Sequence, residues 1–195
     1  METILALCIG LGLSAACGFR IFVPMLGLSL AAHTGHVSLA SDFRWLGSDV
    51  ALTALGVATA LEIGAYYVPW LDHFLDTLAT PASVVAGTMV TASVMTDMSP
   101  FLRWTLAVIA GGGVAAAVQT TTVVTRAAST LATGGLANPL VASAELGGAL
   151  TATALSLAAP VVGIALLVVG VGLVGLSWGQ RRRRSASRSR EQQII

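Results

Sequence analysis

The chain has 195 residues, of which 55% are hydrophobic and only 10% charged, and its mean hydropathy is +0.85. Soluble domains carry roughly 25% charged residues, so this composition excludes a water-covered globule and makes lipid the expected solvent. The formal charge of +1 conceals a division: six of the ten arginines follow residue 180, while the body before them holds four arginines against eight acids.

A membrane helix needs about 20 apolar residues to cross roughly 30 Å of hydrocarbon. Charge-poor windows place six spans near 3–31, 50–68, 81–97, 101–126, 138–158 and 160–178. The fold class expected is therefore all-α, a polytopic transmembrane helical bundle. A chain of this length builds one such bundle and not two separately cored domains.

The first segment has two readings. Leu13-Ser14-Ala15-Ala16-Cys17 resembles a lipoprotein cleavage box, but Met1-Glu2-Thr3 supplies no basic n-region, so the segment is expected to be retained. Residues 3–17 alone would reach only about 22 Å as a helix. Either 3–31 is one long, tilted, kinked helix, or it breaks near Gly18 into a re-entrant pair. Gly18 and Pro24 permit the break, and the single kinked helix is the favoured expectation. Cys8 and Cys17 stand about 13 Å apart along a helix, too far for a disulfide.

Beyond the polar link from His33 to Asp49, Gly56, Ala60 and Gly64 form a small-residue face suited to close helix packing. Tyr66, Tyr67 and Trp70 have the character of interface anchors. Asp72, His73 and Asp76 follow, with the two aspartates one helical turn apart. They are a candidate proton or cation site; a solvated acidic turn opposing a helix dipole is the plainer reading. Thr80-Pro81, Ser99-Pro100 and Asn138-Pro139 each read as a helix start, since proline lacks the N–H that is orphaned there. Were the starts after Thr80 and Asn138 within the membrane, their N–H groups would accept anions. Thr-Leu-Ala-Thr occurs at 77–80 and again at 130–133, a weak parallel internal repeat. Gly111-Gly112-Gly113, inside an apolar span, reads as a close-packing site or a joint.

Residues 146–180 carry no charge, and then Arg181-Arg182-Arg183-Arg184 opens a polar tail. Such a basic cluster marks the cytoplasmic side and touches anionic lipid. An even number of spans then puts both termini in the cytoplasm. The division expected is an integral membrane domain over 1–179 and a disordered basic tail over 180–195. With the cluster set directly behind an apolar span, no nucleic-acid partner is expected.

Arg20, Glu62 and Glu145 are the residues that lipid makes expensive, at about 2.5–3.5 kcal/mol for a charge at mid-span. Either they form a buried Arg–Glu lock, or they serve as a proton or ion relay or a substrate counter-charge. With Thr80 and Asn138 they make up the expected polar centre for transport. No nucleophile elbow, metalloprotease motif or phosphate loop occurs, so no catalytic residue, cofactor or bound metal is expected.

Several strings together carry a resemblance: Ala16-Cys17-Gly18-Phe19-Arg20, Pro69-Trp70 with Asp72-His73 and Asp76, Leu78-Ala79-Thr80-Pro81, Ile109-Ala110-Gly111-Gly112-Gly113, and Thr133-Gly134-Gly135 with Asn138-Pro139. The chain resembles a bacterial membrane-protein family known as domain of unknown function 4126, over roughly residues 1–178. The resemblance implies a multi-pass inner-membrane protein and no particular activity; Arg20, Asp72, Asp76 and Asn138 belong to its strings. The function expected is a small transporter or channel-like protein, with a homodimer as one assembly. The alternatives are a non-transporting scaffold, a protein handling a lipid or isoprenoid phosphate, and a lipid-directed enzyme with Asp72, His73 and Asp76 as metal ligands.

Overall fold

The computed structural model describes residues 2–67, 69–166 and 168–169, with side chains left aside at residue 2 and at 69–76. Within these residues the chain is all-helical. Helix α1 (Glu2–Cys17) and α2 (Phe22–His33) are followed by a 3₁₀ turn (Ser41–Gly47) and α3 (Asp49–Ala65). Then come α4 (Pro69–Val94), α5 (Pro100–Leu106), a π-helical segment (Ala107–Gly112), α6 (Gly113–Thr133) and α7 (Asn138–Ala158).

At 16 and 12 residues, α1 and α2 reach about 24 and 18 Å, too short for either to cross alone. They do not join end to end. On α1, Gly12 packs against Ser156 of α7, and Phe19 in the following turn lies against Gly148. On α2, Gly27 is back beside Thr153 and Leu157. The chain therefore runs down α7 and returns along it, so residues 3–31 form a re-entrant hairpin and not a single kinked helix. Gly18 is what lets the tip turn there: a side chain would collide with Val118 and with the Ala115 carbonyl of α6.

Three helical stretches among the described residues are long and apolar enough to cross a membrane: Thr77–Val94, Pro100–Thr133 and Asn138–Ala158. The 3₁₀ turn with α3, bent by 66° at their junction, makes a fourth. Six crossings are thus not reached by length: the first is replaced by the hairpin, and the sixth, 160–178, falls mostly outside the described residues. A hairpin that returns to its own side also adds no crossing, which removes the parity argument for two cytoplasmic termini. The tail 180–195 lies outside the described residues.

Directions follow from the contacts. Gly10 and Ser14 of α1 face Thr91 and Gly87 of α4, and Gly87 in turn faces Gly111 and Ala115, so neighbouring crossings run antiparallel. The N-terminus of α1 and the C-termini of α2, α4 and α7 consequently share one end of the bundle. The C-terminus of α3 and the turn between α6 and α7 share the other. The core is built of small residues, because dispersion and hydrogen bonds, and not hydrophobic expulsion, hold helices together in lipid. Ser14 donates to the Gly87 carbonyl at 2.7 Å and meets Thr91 at 2.7 Å, and Thr91 donates to the Gly10 carbonyl at 3.1 Å. The glycine triplet is a close-packing site: Gly111 and Gly112 press on Gly87, Thr88 and Thr91, with the π segment accommodating the contact.

Of the three expected helix starts, one is a start with its hydroxyl cap. Ser99 accepts from Leu102 N–H at 3.4 Å, with Pro100 in the first turn of α5. Pro81 lies inside α4, so no helix begins after Thr80. Proline removes one N–H from that helix, which a packed membrane helix tolerates, and the Ser83 hydroxyl covers the Thr80 carbonyl at 2.9 Å. Helix α7 does begin at Asn138, but the Asn138 side chain does not cap it. Its amide meets the Thr130 hydroxyl at 3.2 Å, closing the α6–α7 turn, in which Gly134 takes a left-handed φ of 63°. The two Thr-Leu-Ala-Thr strings thus occupy different settings, one within continuous α4 and one at the end of α6.

Candidate functional site: a charged centre at the hairpin tip

The tip of the hairpin carries Arg20, which is 2% exposed. One of its terminal nitrogens donates to the Ala142 carbonyl at 2.9 Å and stands 3.5 Å from Glu145 Oε2. Glu145 is shared. Arg126 of α6 binds it at two points, Nε to Oε1 at 2.9 Å and Nη2 to Oε2. Both guanidinium groups lie over the Tyr66 ring, Arg20 at 3.7 Å and Arg126 at 4.4 Å from its centroid. Among the described residues, Nε and Nη1 of Arg20 have no hydrogen-bond partner.

Why these groups meet is legible from their elements. Arg126 and Glu145 each lie seven residues from the ends of α6 and α7 that the turn joins, so antiparallel packing brings them to one level. That level is about 10 Å of helix inside the bundle. On α7, Asn138, Ala142, Glu145, Ala149, Thr153 and Ser156 form the buried stripe, at helical spacing. On α6 the stripe is Ala115, Gln119, Thr122 and Arg126.

Glu62, near the end of α3, completes the centre from the other side. Its Oε1 accepts from Ile21 N–H at 2.7 Å and its Oε2 from Phe22 N–H at 3.0 Å. A carboxylate on the first N–H groups of α2 satisfies donors that would be orphaned and opposes the helix dipole favourably. The broken helix with its captured N-terminus is thus at α1–α2, and not after Thr80 or Asn138. Tyr67 ties α3 to α7 through Ser143 at 2.9 Å.

Arg20, Glu62 and Glu145 are accordingly gathered at the hairpin tip. Asn138 is buried one turn before Ala142 on the same stripe, engaged with Thr130. Thr80 is exposed on α4, and its carbonyl accepts from the Ser83 hydroxyl. The side chains of Asp72, His73 and Asp76 lie outside the described residues. Two members went unnoticed in the sequence, Arg126 and Tyr66. The arginine looked like the edge of a span and the tyrosine like an interface anchor. The placement of Arg126 and Glu145 at equal distances from the Gly135–Leu136 bond was the available signal.

Beside the centre runs a groove of about 970 Å³ between α6 and α7, with α1 as its floor. Gly12, Ala15, Phe19, Val114, Gly147 and Leu155 are among its lining, which is overwhelmingly apolar. Its rim residues Gly113, Ala117, Thr121, Gly147 and Thr151 are exposed, so it opens sideways between the helices. Phe19 and Gly147 bring it next to Arg20 and within two residues of Glu145.

A second ion pair lies at the opposite end of the bundle, where two of the crossing segments begin. Arg103 of α5, nearly buried, donates to Asp42 of the 3₁₀ turn at 2.5 Å. The Ser41 hydroxyl donates a second hydrogen bond to the Asp42 carboxylate at 3.0 Å. Phe43 adds a ring contact with Trp104 at 6.0 Å, so the link between α2 and α3 is fastened to α5.

No curated protein and no solved structure matches the chain. One family model does, described as a domain of unknown function (DUF4126), and it matches residues 7–180, nearly the whole bundle. The protein is a helical membrane protein, and it belongs to the DUF4126 family.

Proposed function

We propose that the protein is a small transporter or channel-like protein whose solute passes the charged centre at the hairpin tip. The observation that carries this reading is Arg20, buried at the end of a re-entrant hairpin and sharing Glu145 with Arg126. Irregular backbone at membrane depth is tolerated where it is enclosed by protein or lines a path, and broken helices of this type hold transported ions elsewhere. A structural lock needs one arginine per carboxylate. Here a carboxylate serves two guanidinium groups, and among the described residues the tip arginine keeps donors to spare. Such a network can exchange one partner for a solute at low cost, because the displaced carboxylate retains its other arginine.

The test is reconstitution in liposomes with assays of proton flux and of carboxylate and phosphate uptake. Native protein should pass at least one of these, and a Glu62→Gln, Glu145→Gln double variant should not. Equal flux in both would remove the carboxylates from the mechanism, and no flux for any solute would sink the class.

One observation favours a second reading, partner binding without transport. Gly56 and Gly64 of α3 have open space where a side chain would stand, and Ala60 between them is exposed. A small-residue face of this kind suits a second membrane helix, including that of another copy of the chain. Gly56→Leu with Gly64→Leu should then convert a cross-linkable dimer or complex to monomer; an unchanged cross-linking pattern would dismiss it.

A further inference from the structure

We propose that Arg20 and Arg126 form the head-group site of an anionic amphiphile, a lipid phosphate, whose chain lies in the groove between α6 and α7. This deepens the transport reading and rests on it for the centre being a solute site. Two independent features meet here. The first is an arginine that is nine-tenths and more buried, with two donor nitrogens that lack partners among the described residues. Donors left unpaired in a low-dielectric site carry a desolvation penalty, so an additional acceptor is favoured. Guanidinium groups match phosphate oxygens in pairs, and the Glu145 carboxylate already occupies the place between the two arginines that an oxyanion would take.

The second feature is the groove. Its volume of about 970 Å³ lies at the upper end of ordinary ligand pockets, and its polar wall is slight. A free anion has no use for such a wall, whereas an acyl or prenyl chain does. The opening faces sideways, toward lipid, and the groove is lined by Phe19, next to Arg20 in the chain, and by Gly148, which packs on Phe19 and lies one helical turn from Glu145. A ligand with its chain in this groove can therefore bring its head toward Arg20, whose spare guanidinium nitrogens match the oxygens of an oxyanion.

The test uses the full chain in nanodiscs of neutral phosphatidylcholine, doped with a phosphatidic acid bearing a photoreactive acyl chain. Cross-links should map to α6 and α7 peptides lining the groove and be displaced by unlabelled phosphatidic acid but not by more phosphatidylcholine. Arg20→Gln should lower labelling at least ten-fold. Glu145→Gln, which removes the built-in competitor, should raise it several-fold, a gain that no folding defect would mimic. Gly147→Phe, introduced where a side chain meets open space, should reduce labelling several-fold while leaving thermal stabilisation by inorganic phosphate intact. A neutral photoreactive lipid labelling equally well would overturn the proposal, as would native-level labelling in both Arg20→Gln and Gly147→Phe. Full protection of the native protein by inorganic phosphate, with Gly147→Phe unaffected, would assign the arginines to a free anion and overturn the lipid. Labelling in this pattern by a protein that moves no solute would uphold the site and discard transport; flux without labelling would do the reverse.

Discussion

Arg126 and Glu145, equidistant from the Gly135–Leu136 peptide bond, face each other across the α6–α7 turn and join at two points. Both are nearly inaccessible, at 4% and 6% exposure. Breaking such a pair from one side leaves a charge without its counterpart, at about 3–5 kcal/mol. Glu145→Ala should therefore destabilise the bundle by that order, since it removes the carboxylate that both guanidinium groups share. Arg126→Leu combined with Glu145→Leu should cost clearly less than the two single changes added together. Unfolding in mixed detergent micelles measures both; strict additivity would mean that the pair is not coupled.

Glu62 acts on backbone and not only on charge. Removing it as Glu62→Ala orphans the Ile21 and Phe22 N–H groups, and loss of a helix cap costs about 0.5–2 kcal/mol. Glu62→Gln keeps one acceptor oxygen and should fall between the two. Amide hydrogen exchange at residues 21–23 should rise in the order native, Gln, Ala. Equal protection in all three would show that the cap does not hold the hairpin tip.

The Asp42–Arg103 contact has a defined pH dependence. Arg103 pairs with Asp42 only while the carboxyl is ionised, so the contact favours the fold at neutral pH. It is lost on acidification, as the carboxyl takes up a proton. Corrected for the intrinsic pH dependence of amide exchange, protection of the 34–48 link should fall in acid in the native protein. Asp42→Asn should already exchange fast at neutral pH and gain little on acidification. A native profile flat down to pH 2 would contradict the pairing.

Sidedness separates the hairpin from a continuous first helix. In a background without Cys8 and Cys17, Thr3→Cys and His36→Cys should react with an impermeant maleimide from the same face of the membrane. Leu136→Cys should react from the opposite one. A single helix over 3–31 would put Thr3 and His36 on opposite faces, so that outcome would refute the returning hairpin.

What could be read from the chain, and what could not, follows from the range of the interactions. Apolar windows bounded by charge were enough for the all-α bundle, and they located α3 and α7 closely, because crossing length is a local property. Ser99-Pro100 gave a helix start for the same reason. Pro81 did not, because a packed neighbourhood accommodates the missing N–H that would end an isolated helix. The break at Gly18 was visible, but its consequence was not: kink and hairpin differ only in what lies beside them, here Ser156, Thr153 and Val118. Arg126 was overlooked because charged positions served as span boundaries, which hides any charge that a helix carries past its apolar window. Asn138, expected to cap a helix, instead spends its amide on Thr130 across the turn.

The hairpin also has a consequence for biogenesis. Its first helix is held by Gly87 and Thr91 and its tip by Ala142, 122 positions beyond Arg20. When the ribosome has released residues 2–33, these contact surfaces are still unsynthesised. Neither half is long enough to be integrated on its own, and the arginine between them discourages partition into lipid. The hairpin is thus seated only after the crossings that follow it, slotting into a cleft they prepare.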